Sequence, residues 1–344
     1  MNRIMITGGA GSLGRELVDY IHETNKDDLV IVYSRDEAKH STYYRNRVNV
    51  KCVIGDIRDK DKLKQTLIEN SVNSVIHAGA LKRIDDMELS PDECIKTNVI
   101  GSMNVAEAIT EVNNTKDLKD TDNEIKGILV STDKACLPIN AYGSSKHLAE
   151  RIFIRHGLRV ARYGNVLGSR GSFIPLWSKL LKNGDKIPLT DSRCTRYLFS
   201  LRDAAKLVYH TLFDLESLGS LTVVPKLKSY KVIDVLKVLC KIEGIEYNDE
   251  MVDTIGLRPG EKLHEDMLSL PELAESYTIS GNKVTNYLNN HNFIVVRPSI
   301  WNNKVLYDHM SYINKYEGTQ LNSDIDVVLD DKSELEELIK GCLE

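Results

Sequence analysis

Residues 3–14 read RIMITGGAGSLG. A short apolar run, Ile4-Met5-Ile6, ends in a cluster of glycines and then opens an amphipathic segment. Gly8, Gly11 and Gly14 recur at a spacing of three, and Gly9, Gly11 and Gly14 also fit G-x-G-x-x-G. Missing side chains permit a tight turn and a close backbone approach, so the N–H groups of Ser12 and Leu13 at a helix N-terminus can meet a pyrophosphate. A glycine turn without a ligand would show the same letters. The strand–turn–helix setting at the first strand favours a dinucleotide cradle.

Outward from this loop, β-branched runs alternate with helical patterns. Strands are expected at 29–33, 50–54, 74–78, 126–131, 159–163 and 221–224, and helices at 12–24, 60–69, 92–110, 141–155 and 201–213. This alternation, with right-handed crossovers, predicts an α/β protein built on a doubly wound parallel Rossmann sheet. Residues 1–164 would form that domain, completed by 197–224. Gly168, Gly171, Pro175, Gly184 and Pro188 break the pattern, as substrate loops beyond the strand ends do. Residues 165–196 and 225–290 are expected to form a smaller α/β substrate domain, and 291–344 a charged C-terminal extension ending in a helix at 333–342. The polar stretch 113–124 reads as a solvated loop.

The apolar fraction of 42% is that of a water-soluble globular chain, and no apolar run approaches a membrane span. A strand running straight into the glycine loop leaves no room for a signal peptide. A net charge of −5 argues against broad nucleic-acid binding. The six cysteines are scattered, with no C-x-x-C pair, which fits reduced thiols in a cytoplasmic protein and no metal site.

A dinucleotide loop specific for NAD places an acid at the end of the second strand. Here Ser34 and Arg35 stand at that point, with Lys39 beyond. A hydroxyl and two cations suit a 2′-phosphate, which favours NADP over NAD, although Asp36 weighs against it. Asp56, after the third strand, is placed either to accept from an adenine amine or simply to form a turn.

Thr132-Asp133-Lys134 precedes Tyr142-x-x-x-Lys146. A Tyr and a Lys four apart share one helix face. An ammonium beside a phenol is expected to lower its pKa, producing a base for a sugar hydroxyl. Redox alone needs one such group. An extra acid and amine suggest elimination, which must also take a C–H proton and protonate a leaving hydroxyl. A Thr-Asp-Lys turn that only caps a backbone amide is the plainer alternative.

The segments GGAGSLG, YSRDEAK, GDIRD, HAGALK, KTNVIGS, STDKACLPINAYGSSK, RYGNVLGSRGS, TDSRCTRY and RPGEKLHE stand in this order. Over about residues 3–268 the chain resembles the soluble inverting UDP-N-acetylglucosamine 4,6-dehydratases of polysaccharide biosynthesis, which are extended short-chain dehydrogenase/reductases. The resemblance implies C4 oxidation with hydride passing to NADP, loss of water across C5–C6, hydride return to C6, and C5 reprotonation from the opposite face. It implies Tyr142 and Lys146 at the C4 hydroxyl, Thr132 beside them, Lys134 as the C5 base and Asp133 as the acid, with those two roles open to exchange. A working Lys134 would need a lowered pKa and Asp133 a raised one.

Cofactor contacts are expected at Asp56, Ile57, Ala78, Ala80, Lys82, Asn98, Tyr142 and Lys146, besides the glycine loop, Ser34, Arg35 and Lys39. Asn98 reads as more structural than catalytic. A UDP-hexosamine would meet Lys82, Asn165, Arg170, Arg196, Arg258 and Glu261. Arg258 would hold the pyrophosphate, and Glu261 would either accept from a ribose hydroxyl or lock Arg258. The resemblance also implies a homo-oligomer. Gly79 departs from it, standing where alanine is expected, as does a short link at 154–158. A UDP-sugar 4-epimerase shares everything but the need for Asp133 and Lys134. A non-catalytic NADP-binding sensor has no need of Tyr142–Lys146. UDP-glucose and UDP-N-acetylglucosamine are not distinguished.

Overall fold

The computed structural model of the chain describes residues 1–115, 124–169, 171–215, 218–279, 293–296 and 313–343. Seven parallel strands form its centre: β1 (Arg3–Thr7), β2 (Leu29–Ser34), β3 (Val50–Ile54), β4 (Ser74–His77), β5 (Lys126–Thr132), β6 (Arg159–Tyr163) and β7 (Thr222–Pro225). They lie in the order β3-β2-β1-β4-β5-β6-β7, so the chain reverses direction across the sheet between β1 and β4. In such sheets ligands bind beyond the carboxyl ends of the strands at that reversal. Two apolar layers sandwich the sheet. Leu17, Val18, Ile21, Leu207, Val208 and Leu212 cover one face; Leu63, Leu67, Val105, Ile109 and Phe153 cover the other. The expected doubly wound Rossmann architecture is therefore the one observed.

Residues 276–279 and 293–296, placed by their sequence in the substrate region and tail, join this sheet. Phe293–Val296 pairs antiparallel with β7, Ser276–Ile279 pairs with Phe293–Val296, and Ile313–Lys315 completes the edge. A separate apolar cluster lies under 165–196 and 225–252. There the helices Phe173–Asn183 and Val232–Ile242 pack with the C-terminal helix Ser333–Leu343, which buries Leu335 and Ile339. The tail helix is thus a wall of the second region.

The helix expected over 92–110 is present and longer, helical throughout from Pro91 to Thr115 with a π-helical stretch inside it. It runs as Pro91–Cys94, a π-helical stretch Ile95–Ile100, and Gly101–Thr115. The polar stretch is helical as far as Thr115; residues 116–123 lie outside the described residues. The short 154–158 link works because Gly157 adopts a left-handed φ of +76°, turning the helix end directly into β6.

Candidate active site

The nucleotide end of the sheet is built by close backbone contact. Gly8 has a φ of +68°, and a Cβ there would lie 2.8 Å from the Cα of Gly79. A Cβ on Gly14 would sit 2.3 Å from the carbonyl oxygen of Gly9. A Cβ on Gly79 would lie 3.3 Å from the Thr7 hydroxyl, so glycine in place of the expected alanine leaves that close contact unmade. The helix Ser12–Thr24 starts at Gly11 with no side-chain cap and no acid in its first turn, the setting that suits an anion. These features fit a dinucleotide: the cradle is one that side chains would fill.

At the end of β2, Ser34 Oγ meets His40 Nε2 at 2.6 Å. Asp36 caps the unforeseen helix Glu37–Tyr44 by accepting from the Lys39 N–H, and it also pairs with the Lys39 ammonium. Lys39 is therefore already engaged by Asp36. Arg35 is largely exposed and 3.6 Å from Asp56. Asp56 is gripped by Arg58 through contacts of 3.0 and 2.7 Å, which outweigh its partial desolvation and hold its carboxyl low. Ile57 packs its side chain against Gly101, while Ala78 and the exposed Ala80 follow β4 beside Gly8.

His77 ends β4 as expected. It is buried, bonded to Thr7 Oγ1 at 2.6 Å and Ser102 Oγ at 3.0 Å, and burial pushes its pKa down to about 3. Asn98, in the π-helical stretch, exchanges two hydrogen bonds with the backbone of Leu81 and donates to Ser145 Oγ at 3.0 Å. It joins the post-β4 loop to the helix that bears Tyr142. Lys82 projects from that loop to 3.4 Å from Ser169 Oγ. The chain is exposed along its length, but the walls around the ammonium desolvate it and lower its pKa.

The centre of the site forms where β5 ends. The helix Ala141–Arg155 is capped by Asn140, whose side chain accepts from the Gly143 N–H and donates to the Gly260 carbonyl at 2.7 Å. Gly143 is obligatory, since a Cβ there would lie 2.3 Å from the carbonyl oxygen of Lys134. Tyr142 and Lys146 thus face the turn 133–135. Lys146 is buried and donates to the Val130 carbonyl at 2.7 Å, and desolvation lowers its pKa to about 8.

The expected lowering of the Tyr142 pKa is not observed. Burial pushes the phenol up to about 12, and the cation that partly offsets this is Lys134, aided by a hydrogen bond with Thr132. The ammonium of Lys146 is occupied by a carbonyl instead.

Asp133 is fully buried. Its Oδ1 accepts from Thr132 Oγ1 at 2.8 Å, from the Lys134 N–H at 2.9 Å and from Lys134 Nζ at 3.0 Å, while Oδ2 has no hydrogen-bond partner. Lys134 Nζ also donates to Asn165 Oδ1 at 3.1 Å and lies 3.4 Å from Glu265 Oε1. Asn165, expected at a substrate oxygen, therefore aims at the lysine. The expected lowering of the Lys134 pKa is overturned as well. Desolvation acts in that direction, but the charges of Asp133 and Glu265 outweigh it and raise the pKa. Lys134 rests as an ammonium.

Arg196, expected at a phosphate, is buried and spent: it donates to the carbonyls of Thr195, Lys262 and Leu263 and to Glu261 Oε1 at 3.0 Å. Glu261 also accepts from Arg258 Nε at 3.1 Å, so it locks Arg258 and Arg196 together. Arg258 is half exposed, with a second acid, Asp85, at 3.4 Å. Arg170 lies outside the described residues. Sequence reading missed Glu265, although it stands inside the quoted RPGEKLHE; its burial beside Lys134 is visible only in three dimensions.

Residues 4–286 match the family model described as polysaccharide biosynthesis protein. The chain belongs to that family. It is 37% identical to a UDP-N-acetylglucosamine 4,6-dehydratase (inverting) of Campylobacter jejuni over 312 residues, covering 86% of this chain and 83% of the relative. It is 35% identical to a UDP-glucose 4-epimerase of Rickettsia massiliae, covering 79% of each. The structure of Pen from Bacillus thuringiensis superimposes with a TM-score of 0.78 at 24% identity, covering 99% of this chain and 97% of the other, and so shares the fold. Among the described residues, no helix is long and apolar enough to cross a membrane.

Proposed function

We propose that this member of the family is a UDP-N-acetylglucosamine 4,6-dehydratase that inverts C5, with NADP as resident cofactor. The observation that carries the reading is the buried Asp133–Lys134 pair facing Tyr142. The similarity to the Campylobacter jejuni dehydratase supports the substrate. Ser34 and Arg35, at the end of β2, support NADP.

Held in the cradle of Gly8, Gly11 and Gly14, NADP would supply the acceptor for the C4 hydride and the donor of that hydride to C6. Burial keeps the Tyr142 phenol protonated at rest, so it first releases that proton to solvent and then, as phenolate, takes the C4 hydroxyl proton, with Lys146 and Thr132 positioning it. The resulting ketone acidifies C5–H. Lys134 then accepts the C5 proton while Asp133 gives a proton to the departing C6 hydroxyl. An ammonium cannot accept a proton and a carboxylate cannot give one, so the pair must first exchange: one proton crosses the 3.0 Å contact from Lys134 Nζ to Asp133 Oδ1. This yields a neutral amine and a neutral acid, the forms that elimination needs. Elimination returns both to their charged resting forms, and as the hydride reaches C6 a solvent proton adds to C5 from the opposite face, replacing the one Tyr142 released, so atoms and charge balance.

Arg258 is read as the diphosphate ligand, and residues 165–196 with 225–275 as the region over the uridine. Exposed Ile95, Ile100, Met103 and Leu148 on the outer helices support a homo-oligomer, to be sized by light scattering.

Proton NMR of a reaction with UDP-N-acetylglucosamine in deuterated water tests the assignment. A 4-keto-6-deoxy product with inverted C5 carrying deuterium is expected. A C4 epimer with an intact C6 hydroxyl would instead favour the epimerase reading, for which the Rickettsia relative speaks.

A further inference from the structure

Glu265 has no role in the scheme above, yet it is only 2% exposed and lies beside the reacting pair. Its backbone is fixed on both sides. The Glu265 N–H donates to Ser323 Oγ at 2.7 Å, and its carbonyl accepts from the Ser323 N–H at 2.8 Å. Ser323 Oγ in turn meets Thr195 Oγ1 at 2.6 Å. The carboxyl is thereby held with Oε1 3.4 Å from Lys134 Nζ and 4.0 Å from Arg196 Nε, while Oε2 is buried with no hydrogen-bond partner. So much fixing of a buried acid that makes so few bonds is hard to explain by stability, because an unsatisfied buried carboxyl costs free energy.

We propose that Glu265 is a positioning residue of the proton-transfer cluster: it shares the Lys134 ammonium with Asp133, aims Nζ at Asp133 Oδ1, and sets the pH range over which that pair keeps its single exchangeable proton. The charged and titratable groups around Lys134 are Asp133 on its own turn, Glu265, Arg196 from the strand Thr195–Phe199, and Tyr142 from the helix Ala141–Arg155. Those around Glu265 are Lys134, Asp133, Arg196 and Lys262. Arg196 is engaged by Glu261 and three carbonyls, and Lys262 by Asp266 and the Cys136 carbonyl. Glu265 is thus the second acid facing the lysine. The working pair needs one proton in total, lying on the amine or on the carboxyl. Two protons leave no base; none leaves no acid. A negative charge beside the pair strengthens its hold on that proton at both ends of the range.

The inference rests on the assignment of the proton transfers to Asp133 and Lys134. Asp133→Asn and Lys134→Ala test that assignment separately, by abolishing C5 deuterium exchange and water loss. Glu265→Gln tests the present one. It should still turn over, with the KM for UDP-N-acetylglucosamine little changed, while the whole bell-shaped pH profile of the dehydration step moves to lower pH by roughly one to three units. Glu265→Asp, which keeps the charge, should stay near the parent profile. An unmoved profile in folded Glu265→Gln, or an equal displacement in both variants, would overturn the proposal. If Glu265→Gln does not fold, the double variant Lys134→Met/Glu265→Gln decides: it is more stable than Lys134→Met if Glu265 is the counter-ion of the lysine, and less stable if Glu265 is merely a strut.

Discussion

Removing the ammonium of Lys134 should destabilise the protein in a pH-dependent way. In Lys134→Met two buried carboxyls, Asp133 and Glu265, lose a cation at 3.0 and 3.4 Å. At an effective dielectric of about 20, each contact is worth about 5 kcal/mol of Coulomb attraction before desolvation. The desolvation that the lysine no longer suffers offsets much of this, and breaking a buried pair from one side typically leaves a net loss of ~3–5 kcal/mol. Since Lys134 keeps some exposure, the lower end, ~3 kcal/mol, is expected near pH 8. The sign of the pH dependence follows from linkage. Without the cation, the largest charge opposing the burial that already raises the carboxyl of Glu265 is gone, so its folded pKa lies above the unfolded value of roughly 4. Such groups weigh against folding above the raised pKa, and the burden lifts as pH falls and they protonate. The deficit against the parent protein should therefore shrink steadily from pH 8 to pH 5. Urea unfolding at four pH values in that range measures it directly. A deficit that stays constant with pH, or that is below ~1 kcal/mol at pH 8, would refute the electrostatic account of this cluster.

Further outcomes are expected elsewhere. Tyr142→Phe should bind the sugar nucleotide but lower kcat by about 10²–10⁴, the usual contribution of a positioned acid–base group, as read by product formation. Arg162 is buried and holds Glu150 at 3.0 and 2.6 Å and Glu272 at 3.1 and 2.8 Å. Arg162→Ala should cost ~3–5 kcal/mol in urea unfolding. Burial opposes ionisation of Glu272, but Arg162 wins and holds its carboxyl at about 2. Being depressed, this group stabilises the fold above its unfolded pKa, and that contribution should fade as pH falls from about 4.5 to about 2. Arg258→Ala should raise the KM for the UDP-sugar some 10- to 100-fold, as loss of charged hydrogen bonds worth ~1.5–3 kcal/mol would. Arg35→Ala should weaken NADP relative to NAD by about tenfold in cofactor titrations, and an unchanged ratio would remove Arg35 from selectivity.

The sheet was legible because its signals are local. An apolar run followed by Gly8, Gly11 and Gly14 reports a strand–turn–helix without any long-range contact, and each later strand from 29 to 163 is similarly bounded by turn residues. The helix Glu37–Tyr44 carries a readable cap in Asp36, a signal masked by the residue's other meaning at the end of β2, where an acid opposes a phosphate. Phe173–Asn183 was hidden by its flanking glycines and by Pro175, which is tolerated because it falls in the first turn. The π-helical stretch at 95–100 has no composition of its own. In the site, spacing brought Tyr142 and Lys146 onto one face, and proximity in sequence paired Asp133 with Lys134. Electrostatics was not legible. The sign of the Lys134 shift depends on Glu265, which the fold brings in from a segment far along the chain, and the fate of Arg196 depends on carbonyls of the same loop.

The same considerations bear on elimination against epimerisation, which the fold serves equally. Epimerisation needs the phenol and its lysine; a turn after β5 need only be compatible with the strand end. Had stability alone shaped that turn, well-packed apolar side chains would serve as well or better, since replacing buried ion pairs with such groups is often neutral or stabilising. Instead the chain keeps at this point a fully buried Asp133 with one oxygen unpartnered, a lysine held cationic against its desolvation, and a second carboxyl, that of Glu265, whose backbone is fixed by the tail through Ser323. The cost of this arrangement is offset by nothing visible in the packing. It is met if the group moves protons on a bound sugar, where a paired acid and amine are needed together, and this is why the Asp133–Lys134 pair favours a lyase over an epimerase on a shared scaffold.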